Sequence, residues 1–377
     1  MKAVVCGAGI AGLAVANRLT DIGWEVVVLE KAPGPRTQGY MIDFFGPGYD
    51  AAAELGVLPR LLELRGHVED LSYVDSRGRR RGGLSFARFA NTVGGRLLSI
   101  MRPDLELALR ERLPAQVRFS SPVTAVSDGA VTTASGEVHE ADLVIGADGI
   151  HSTVRARTFG GDPLRHLGFH TAAFIFDDPV VHAQVAGRFC VTDSVDRQMG
   201  LYGLRDGRVA AFTAHRTADR ELPADPAAAL RSVYGGLGWV VPRVLARLPA
   251  EIYYDHVAQV ELPEWSRGRV TLVGDACGAV SLLAGQGASL GVAGGFVLAE
   301  QLRAAPVERA LAAYERQWRP VVTEKQEVAR RAMRWFLPRS PLEVRLRRLS
   351  MLLSRLPGAD RLIATAVAGK PTALAHP

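Results

Sequence analysis

The segment that decides the fold is residues 2–31, which read KAVVCGAGIAGLAVANRLTDIGWEVVVLEK. A short apolar run precedes the glycine-rich turn, an amphipathic helix pattern follows it, and a second apolar run ends at Glu30. This order predicts a β-strand, an α-helix and a parallel β-strand in one unit of about thirty residues.

The glycines of this segment have the spacing that suits a bound dinucleotide. Gly7 allows the tight turn, Gly9 lets the backbone approach a pyrophosphate, and Gly12 lets the helix pack closely on the strand. The first amides of the helix can then bind phosphate oxygens. Glu30 can accept hydrogen bonds from both hydroxyls of a ribose, and its charge disfavours the 2′-phosphate of NADP in this slot. The motif alone does not separate FAD from NAD.

Two further segments end an apolar strand in an acidic residue. Residues 141–160, ADLVIGADGIHSTVRARTFG, place Asp148 there, and residues 268–278, GRVTLVGDACG, place Asp275. At Asp275 the acid can bind a hydroxyl on the sugar chain of a nucleotide, and at Asp148 it lies with Arg155 and Arg157 at one edge of a sheet. For Asp148 a plain surface turn is the alternative.

The stretch from Ala276 to Ala299 carries no charge and is long enough to span a membrane. Its clustered glycines, and its place between a strand and an amphipathic helix, argue against a membrane span; a buried helix without a ligand is the second alternative. Gly285 and Gly287 begin a helix whose first amides are unpaired and carry partial positive charge. We therefore interpret the stretch as backbone laid against a cofactor, since a reduced flavin ring is anionic on its pyrimidine side.

The composition is that of an ordinary globular enzyme. The chain has 377 residues, 48% of them hydrophobic and 22% charged, with a net charge of +6. That excess is modest and partly confined to a C-terminal stretch, so it does not indicate a nucleic-acid partner. The three cysteines show neither disulfide nor metal spacing, and no signal peptide precedes the first strand. We expect a cytoplasmic protein.

Taken together, the three motifs make the chain resemble the single-component FAD-dependent aromatic hydroxylases, the para-hydroxybenzoate hydroxylase-like or group A flavoprotein monooxygenases. The match consists of GAGIAG with Glu30, then GADGIHSTVR, then VGDACG with GQGAS, and it covers residues 1–160 and about 258–320. The GQGASLG version is most similar to the branch that tailors polyketides and alkaloids or inactivates tetracyclines.

The resemblance implies a set of FAD contacts. They are Gly7, Gly9, Ile10, Ala11, Gly12, Glu30, Lys31, Arg36, Asp43, Arg102, Val126, Asp148, Asp275, Gly285, Gln286, Gly287, Ala288 and Ser289, the last five lining the flavin ring. Within this set, Arg36 and Arg102 match basic residues that reach the phosphate and ribityl parts. Asp43 matches a residue that lies against the flavin, and Asp148 belongs to a motif linked to both FAD and NAD(P)H.

The resemblance also implies the reaction. NAD(P)H reduces the flavin, O₂ adds to the ring, and the flavin hydroperoxide passes oxygen to an electron-rich carbon of an aromatic or polyketide-like molecule. There is no second Rossmann motif, so NAD(P)H would bind transiently. The flavin is the reactive centre, and no catalytic side chain is assigned. Asp255 and His256 could form an acid–base pair, although a structural role is favoured.

The predicted fold class is α/β: a Rossmann-like FAD-binding domain with an inserted, mainly antiparallel β-sheet substrate domain and a C-terminal helical tail. The FAD-binding domain comprises residues 1–75, 98–162 and 258–320, the substrate domain 76–97 and 163–257, and the C-terminal helices 321–377. Short apolar runs broken by Gly and Asp are typical of the strands of such a sheet. By alternation, the candidates for the face over the flavin are His170, Phe174, Arg197, Met199, Tyr202, Phe212 and His215.

The C-terminal stretch 330–355 is rich in arginine, with leucines at helical spacing. Such a helix can pack on the flavin domain, which we favour, or make a weak contact with an anionic membrane surface. Trp335 and Phe336 could close one side of the substrate pocket.

Three rival functions stay open. The chain has Cys277-Gly278 and Leu282 where the family has Ala-His and Pro, which keeps a non-redox cyclase with FAD as a structural scaffold among the alternatives. The others are a membrane-associated quinone or isoprenoid flavoenzyme, and a flavin halogenase, whose W-x-W-x-I-P signature the sequence lacks. The sequence does not name the substrate.

Overall fold

The computed structural model describes residues 1–377 except 36–38, 67, 93, 282, 284, 354–373 and 375–377.

Strands and helices alternate along the N-terminal part of the chain. The strands are β1 Lys2–Cys6, β2 Glu25–Leu29, β3 Met41–Phe45, β4 Asp70–Val74, β5 Arg80–Ser85, β6 Leu97–Met101, β7 Val117–Arg118, β8 Val123–Ser127, β9 Ala130–Thr133, β10 Val138–Glu140, β11 Leu143–Gly146, β12 Leu164–Phe176, β13 Arg188–Ser194, β14 Arg197–Gly203, β15 Val209–Arg216, β16 Tyr253–Val260, β17 Ser266–Arg267 and β18 Val270–Leu272. The helices are α1 Ile10–Asp21, α2 Pro47–Glu54, α3 Leu58–Leu64, α4 Phe86–Thr92, α5 Arg102–Arg112, α6 Thr153–Thr158, α7 Pro179–Val185, α8 Pro226–Tyr234, α9 Val241–Leu245, α10 Asp275–Gly278, α11 Gly287–Ala304, α12 Val307–Phe336 and α13 Pro341–Leu353.

A mainly parallel sheet forms the core of the first layer, in the order β17-β18-β11-β1-β2-β7. Strands β2, β1, β11 and β18 are parallel neighbours, so their carboxyl ends meet at one edge. The apolar runs of the three motifs form these strands, and they are buried because helices cover the sheet. The predicted βαβ unit is confirmed as β1, α1 and β2.

Helices α1 and α11 pack closely on each other beside this sheet. A Cβ at Gly291 would lie 3.4 Å from Cβ of Ala11, and a Cβ at Gly295 would lie 3.0 Å from the backbone nitrogen of Val15. Much of the glycine content of 274–295 therefore serves helix packing, and the stretch is a buried helix at its C-terminal end.

A second sheet has the order β16-β12-β15-β14-β13-β4-β5 and is antiparallel except between β4 and β13. The predicted fold class, a Rossmann-like part with a mainly antiparallel sheet and a helical C-terminal region, is confirmed. The strands cross the predicted domain boundaries at two places: β4 pairs with β13 although it lies before residue 76, and β16 continues past residue 257. The division into domains stays a prediction.

The two faces of the second sheet have different neighbours. Phe174, Met199 and Leu201 share a buried apolar cluster with α7, α8 and α9, which cover one face, named here the helix face. The opposite face meets Tyr40 at one end, and Met333 and Leu337 at the other. We call it the cleft face.

The C-terminal helices pack on this cleft face. The Arg347 guanidinium lies over the ring of Tyr73 and is bound to Asp193, and Nη2 of Arg348 donates to the same carboxylate at 2.8 Å. Over the described residues, no helix is long and apolar enough to cross a membrane.

Candidate active site

The site lies at the edge where β1, β2, β11 and β18 end. Gly7 follows β1 with φ +112°, and a Cβ there would lie 2.4 Å from the carbonyl oxygen of Ala147. A Cβ at Gly12 would lie 2.0 Å from the carbonyl oxygen of Gly7. Both positions therefore exclude any side chain, which keeps α1, β1 and β11 in close contact.

Gly9 faces the open side of the turn. A Cβ there would meet only the end of the Arg102 side chain, at 3.9 Å, and the Glu106 carboxylate, at 4.0 Å. Gly9 is the N-cap of α1, and the described residues provide neither a side-chain cap nor an acidic residue in the first turn. The first amides of α1 thus face a space that an anion can fill.

A second uncapped helix start lies nearby. Helix α11 begins at Gly287, and its N-cap Gln286 makes no side-chain cap bond in the described part of the chain. A Cβ at Gly287 would lie 3.7 Å from a carboxylate oxygen of Asp275. Gly285 has φ +66° with open space at the missing Cβ. Asp275 and the start of α11 therefore border the same cleft.

Glu30 is fixed by the backbone around it. Its carboxylate accepts hydrogen bonds from the amides of Ala8 at 2.8 Å and Ala32 at 2.9 Å. A carboxylate has about four acceptor positions, so two remain for a ribose. Lys31 is exposed beside it.

Ile10 and Ala11 have packing roles in α1. Ile10 is buried in the core, and a Cβ at Gly274 would lie 2.6 Å from Cβ of Ala11. These two residues shape the turn through the sheet and α11.

Arg102 lies between the glycine turn and Asp275. Its Nη2 is 2.9 Å from Oε1 of Glu106, which is nearly buried. Burial opposes the charge of Arg102, but Glu106, Tyr40 and Asp275 outweigh it and raise the pKa of the guanidinium. Arg102 is therefore a permanent cation next to Gly9 and the start of α1.

The carboxylate of Asp148 has a structural role that its sequence motif did not predict. Its carboxylate accepts hydrogen bonds from the amides of Thr153 at 2.6 Å and Val154 at 3.1 Å, at the start of α6. Arg155 then donates to the carbonyl oxygen of Ala276 at 3.0 Å and to that of Ile150 at 2.7 Å. The second motif thereby holds the third in place.

Asp43 and Ser289 tie β3 to its neighbours. Asp43 accepts from Oγ of Ser99 at 2.6 Å, and burial raises the pKa of this carboxyl group. Oγ of Ser289 accepts from the amide of Gly48 at 3.0 Å and donates to the carbonyl oxygen of Phe45. Ser289 thus anchors α11 to the turn after β3.

The other predicted cofactor residues are spread around this edge. Val126 lies half-buried on β8, Gln286 is buried, and Ala288 packs on the core of the first sheet. Arg36 and Leu282 lie outside the described residues.

An aromatic group on the cleft face stands over the site. The ring of Tyr40 lies 5.7 Å from that of Phe212 and 6.2 Å from that of Tyr253. The amide of Met41 donates to the hydroxyl of Tyr202 at 2.5 Å. Of the seven predicted substrate residues, Tyr202 and Phe212 thus face the cleft, together with Tyr40 and Tyr253, which the prediction did not include.

The structure places the other five substrate candidates away from the cleft. Phe174 and Met199 lie in the apolar cluster of the helix face. Nδ1 of His215 lies 3.1 Å from the hydroxyl of Tyr234, and Arg197 donates to the carbonyl oxygen of Val233, both on α8. His170 is paired in register with His215, and its Nε2 lies 3.1 Å from the carbonyl oxygen of Asp219.

The reason is the period of two along a strand. Arg197 and Met199 cannot share a face with Tyr202, three residues beyond Met199, unless a bulge intervenes, and β14 pairs with β15 without one. The prediction combined residues of both faces.

The Asp255–His256 pair has separate partners. Both carboxylate oxygens of Asp255 lie 3.3 Å from Nε2 of His151. Nε2 of His256 lies 2.9 Å from the carbonyl oxygen of Arg220. Nδ1 of His256 also lies 3.8 Å from a carboxylate oxygen of Asp255, so the two side chains are neighbours that each have a further partner, and their role stays a prediction.

Comparison with known proteins settles the family. The family described as FAD binding domain matches residues 1–329. The chain belongs to this FAD-binding family. An uncharacterised protein of Mycobacterium tuberculosis is 33% identical over 323 residues, which cover 80% of this chain and 85% of that protein.

Two further relatives carry functional names. A flavin-dependent monooxygenase of Legionella longbeachae is 29% identical, with 81% of each chain covered. The crystal structure of a tetracycline destructase is 25% identical and covers 98% of each chain with a TM-score of 0.82. The flavoprotein described here is accordingly an FAD-dependent monooxygenase of the group A aromatic-hydroxylase type, as its motifs predicted.

Proposed function

We propose that this flavoprotein uses NAD(P)H and O₂ to hydroxylate an aromatic or polyketide- or alkaloid-like small molecule. One observation carries the proposal: two helix starts, after Gly9 and Gln286, that have no side-chain cap among the described residues border one cleft, and the opposite wall of that cleft is the aromatic group of Tyr40, Phe212 and Tyr253. The cleft thus offers amides for a dianionic pyrophosphate and for an anionic ring, and aromatic surface for an apolar ring.

Bound FAD would accept a hydride and activate O₂, which no side chain of the cleft can do. We assign the pyrophosphate to the amides after Gly9 and to Arg102, and the adenosine ribose to Glu30. Asp275 would bind the ribityl hydroxyls, and the first amides of α11 would stabilise negative charge on the pyrimidine ring. Gly7 and Gly12 hold the turn in shape.

The protein's own part in the reaction is orientation and the exclusion of water. Tyr40, Phe212 and Tyr253 would hold the substrate ring flat against the cofactor. Met333 and Leu337 would close the end of the cleft at the C-terminal helices, where they pack on Phe169 of the sheet. Water that enters would divert activated oxygen to hydrogen peroxide, so this closure matters for product yield.

An anaerobic visible spectrum tests the proposal. Purified protein loaded with FAD is mixed with NADPH or NADH, without and with a panel of hydroxylated arenes. We expect the flavin bands to bleach, faster with a good substrate, and to return with O₂ together with hydroxylated product. Flavin that dithionite reduces but NAD(P)H does not, with every arene present, would favour the cyclase with a scaffold flavin.

A membrane-surface contact has one favourable observation. Leu342, Leu346 and Leu349 are exposed on α13 at helical spacing, while Arg347 and Arg348 are held on the sheet by Asp193. Flotation with anionic liposomes, compared between the natural chain and a variant with these three leucines changed to glutamine, tests whether they bind lipid. We expect no flotation of either protein, because Arg347 and Arg348, which lie next to these leucines, are held by Asp193 rather than free for anionic lipid.

A further inference from the structure

A cavity with a volume of about 340 Å³ lies beside helix α12. This volume is within the range of small-molecule sites in proteins. Residues between 260 and 265 form one wall, and residues between 319 and 330 of α12 form another. Cys277 and Gly278 of α10 also line the cavity, and both are buried. We call this cavity the α12 pocket.

The α12 pocket is separate from the cofactor cleft. A smaller void, of about 10 Å³, shares Cys277 and Gly278 with the pocket, and its lining also includes Asp275 and Gly287 at the cleft. A void of this size has room for about one water molecule. A ligand as large as a benzene ring therefore cannot pass between the pocket and the cleft, and an occupant of the pocket enters from the surface.

Apolar side chains form the inner part of the α12 pocket. Val260, Trp265 and Val322 line it and are buried. Leu262, which is half-buried, and Pro263, which is exposed, continue this apolar surface towards solvent. A lining of this kind suits the apolar part of a ligand, because the removal of apolar surface from water is favourable.

The outer part of the α12 pocket is positively charged. Three arginines and one glutamate line it: Arg165, Arg319, Arg330 and Glu261. The side chains of Arg165, Arg319 and Glu261 are 53%, 41% and 42% exposed, so these charges lie at the opening. Three positive charges against one negative charge favour an anion at this opening.

The contacts of Glu261 show that this group of arginines suits a carboxylate. Oε1 of Glu261 lies 3.2 Å from Nη1 of Arg165 and 3.0 Å from Nη1 of Arg330. A guanidinium has five N–H groups, so each arginine can bind a second carboxylate beside Glu261. Ion pairs as exposed as these contribute little to stability, so Glu261 is a weak competitor of a ligand anion.

We propose that the α12 pocket is a binding site for a small amphiphilic anion, a ring compound that carries a carboxylate. The ring would lie against Trp265 and Val322, and the carboxylate would bind Arg165 and Arg330. This site goes beyond the proposed function and does not depend on it. Its occupant is a molecule other than the substrate in the cleft, and it would contact α10, the helix whose first residue, Asp275, borders the cofactor.

Calorimetric titration of the FAD-loaded protein tests the site. The probes are 2-naphthoate, its neutral analogue 2-naphthamide, and acetate, which has the charge without the ring. Charge-assisted hydrogen bonds are stronger than neutral ones, and the apolar lining binds only the ring. We therefore expect 2-naphthoate to bind the natural chain at least tenfold more tightly than either of the others.

Variants of exposed residues locate the binding and should leave the fold intact. Arg165→Gln should weaken 2-naphthoate about three- to tenfold and leave 2-naphthamide unchanged. Glu261→Gln should tighten 2-naphthoate by a similar factor, because it removes the competing carboxylate. Thr323→Trp fills the pocket from the exposed side of α12 and should abolish the binding of both naphthalene compounds.

The matched control is Arg60→Gln. Arg60 is 42% exposed and also pairs with two glutamates, but it lies outside the α12 pocket. This variant should bind every probe as the natural chain does. A loss of 2-naphthoate affinity equal to that of Arg165→Gln would mean that only the net charge of the protein matters.

Three further results would overturn the proposal. One is a natural chain that does not bind 2-naphthoate, or binds it no better than 2-naphthamide. Another is weaker binding in Glu261→Gln. The third is 2-naphthoate binding that neither Arg165→Gln nor Thr323→Trp changes, which would assign the ligand to the cleft. Failure of the proposed function is a different result, FAD that NAD(P)H does not reduce, and it leaves this inference untouched.

Discussion

Substituting three glycines with alanine tests whether the glycine turn, rather than helix packing in general, sets the affinity for FAD. The added Cβ would lie 2.0 Å from the carbonyl oxygen of Gly7 in Gly12→Ala. It would lie 3.0 Å from the backbone nitrogen of Val15 in Gly295→Ala, and 3.4 Å from Cβ of Ala11 in Gly291→Ala. All three glycines lie within helices, so each alanine gains about 1 kcal/mol of helix propensity.

The steric term separates the three variants. In Gly12→Ala a contact of 2.0 Å with a backbone atom forces α1 away from the end of β1, and such overpacking costs about 1–3 kcal/mol or more. If the turn that binds FAD takes up this displacement of α1, the affinity for FAD falls by about 5- to 150-fold, since 1.4 kcal/mol is tenfold. Gly291→Ala makes an ordinary contact, so its stability should stay equal or rise by up to about 1 kcal/mol. Gly295→Ala should lie between them.

The assay is a titration of apoprotein with FAD, followed by the quenching of flavin fluorescence, with urea unfolding of the same samples. The reasoning fails if Gly12→Ala binds FAD as tightly as the natural chain. It also fails if Gly291→Ala weakens binding as much as Gly12→Ala does, because then the loss would reflect any added atom between α1 and α11.

Three further predictions concern buried titratable groups. Asp178 caps α7 and binds Arg243 at 2.5 Å and Arg247 at 2.8 Å. Burial opposes the charge of its carboxylate, but these bonds lower its pKa. The stabilisation that they give is complete above the unfolded pKa of about 3.9 and is lost as the pH falls through the lower folded value. Asp178→Asn should therefore cost about 2–3 kcal/mol at pH 7 in urea unfolding, somewhat less than a fully buried pair because both arginines are half-exposed, and the difference should shrink in acid. Burial lowers the pKa of His215 to about 4, so between about pH 6.5 and 4 only the unfolded chain takes up a proton at this residue. Between pH 7 and 5 the free energy of unfolding should therefore fall by about 2 kcal/mol more in the natural chain than in His215→Gln. Cys6, Cys190 and Cys277 are buried, and burial raises each thiol pKa, so a disulfide reagent should titrate no thiol in the native protein and three after unfolding.

The fold of the glycine turn could be predicted from the sequence because its motif is local. Gly7, Gly12 and Glu30 lie within one βαβ unit, where spacing alone fixes the geometry. Contacts between residues that lie far apart in the chain could not be predicted from the sequence. A Cβ at Gly278 would lie 2.6 Å from Cγ1 of Val322, so the departure from the family's histidine at this position follows from the packing of α12. No local pattern could have given that reason.

The face of the second sheet that turns towards the cleft was harder to predict, for a different physical reason. Alternation states which residues share a face, but it does not state which face is covered by helices and which by the cofactor domain. On β14 the residues Gln198, Gly200 and Tyr202 form one set, and Arg197 with Met199 the other. Tyr202 fixes the choice, because its hydroxyl binds the amide of Met41 next to the cofactor edge. Once Tyr202 is placed, the same period brings Gln198 to the cleft and sends Arg197 to α8. The choice of face is therefore decided by a contact between residues 161 positions apart in the chain, which the period of a strand cannot state.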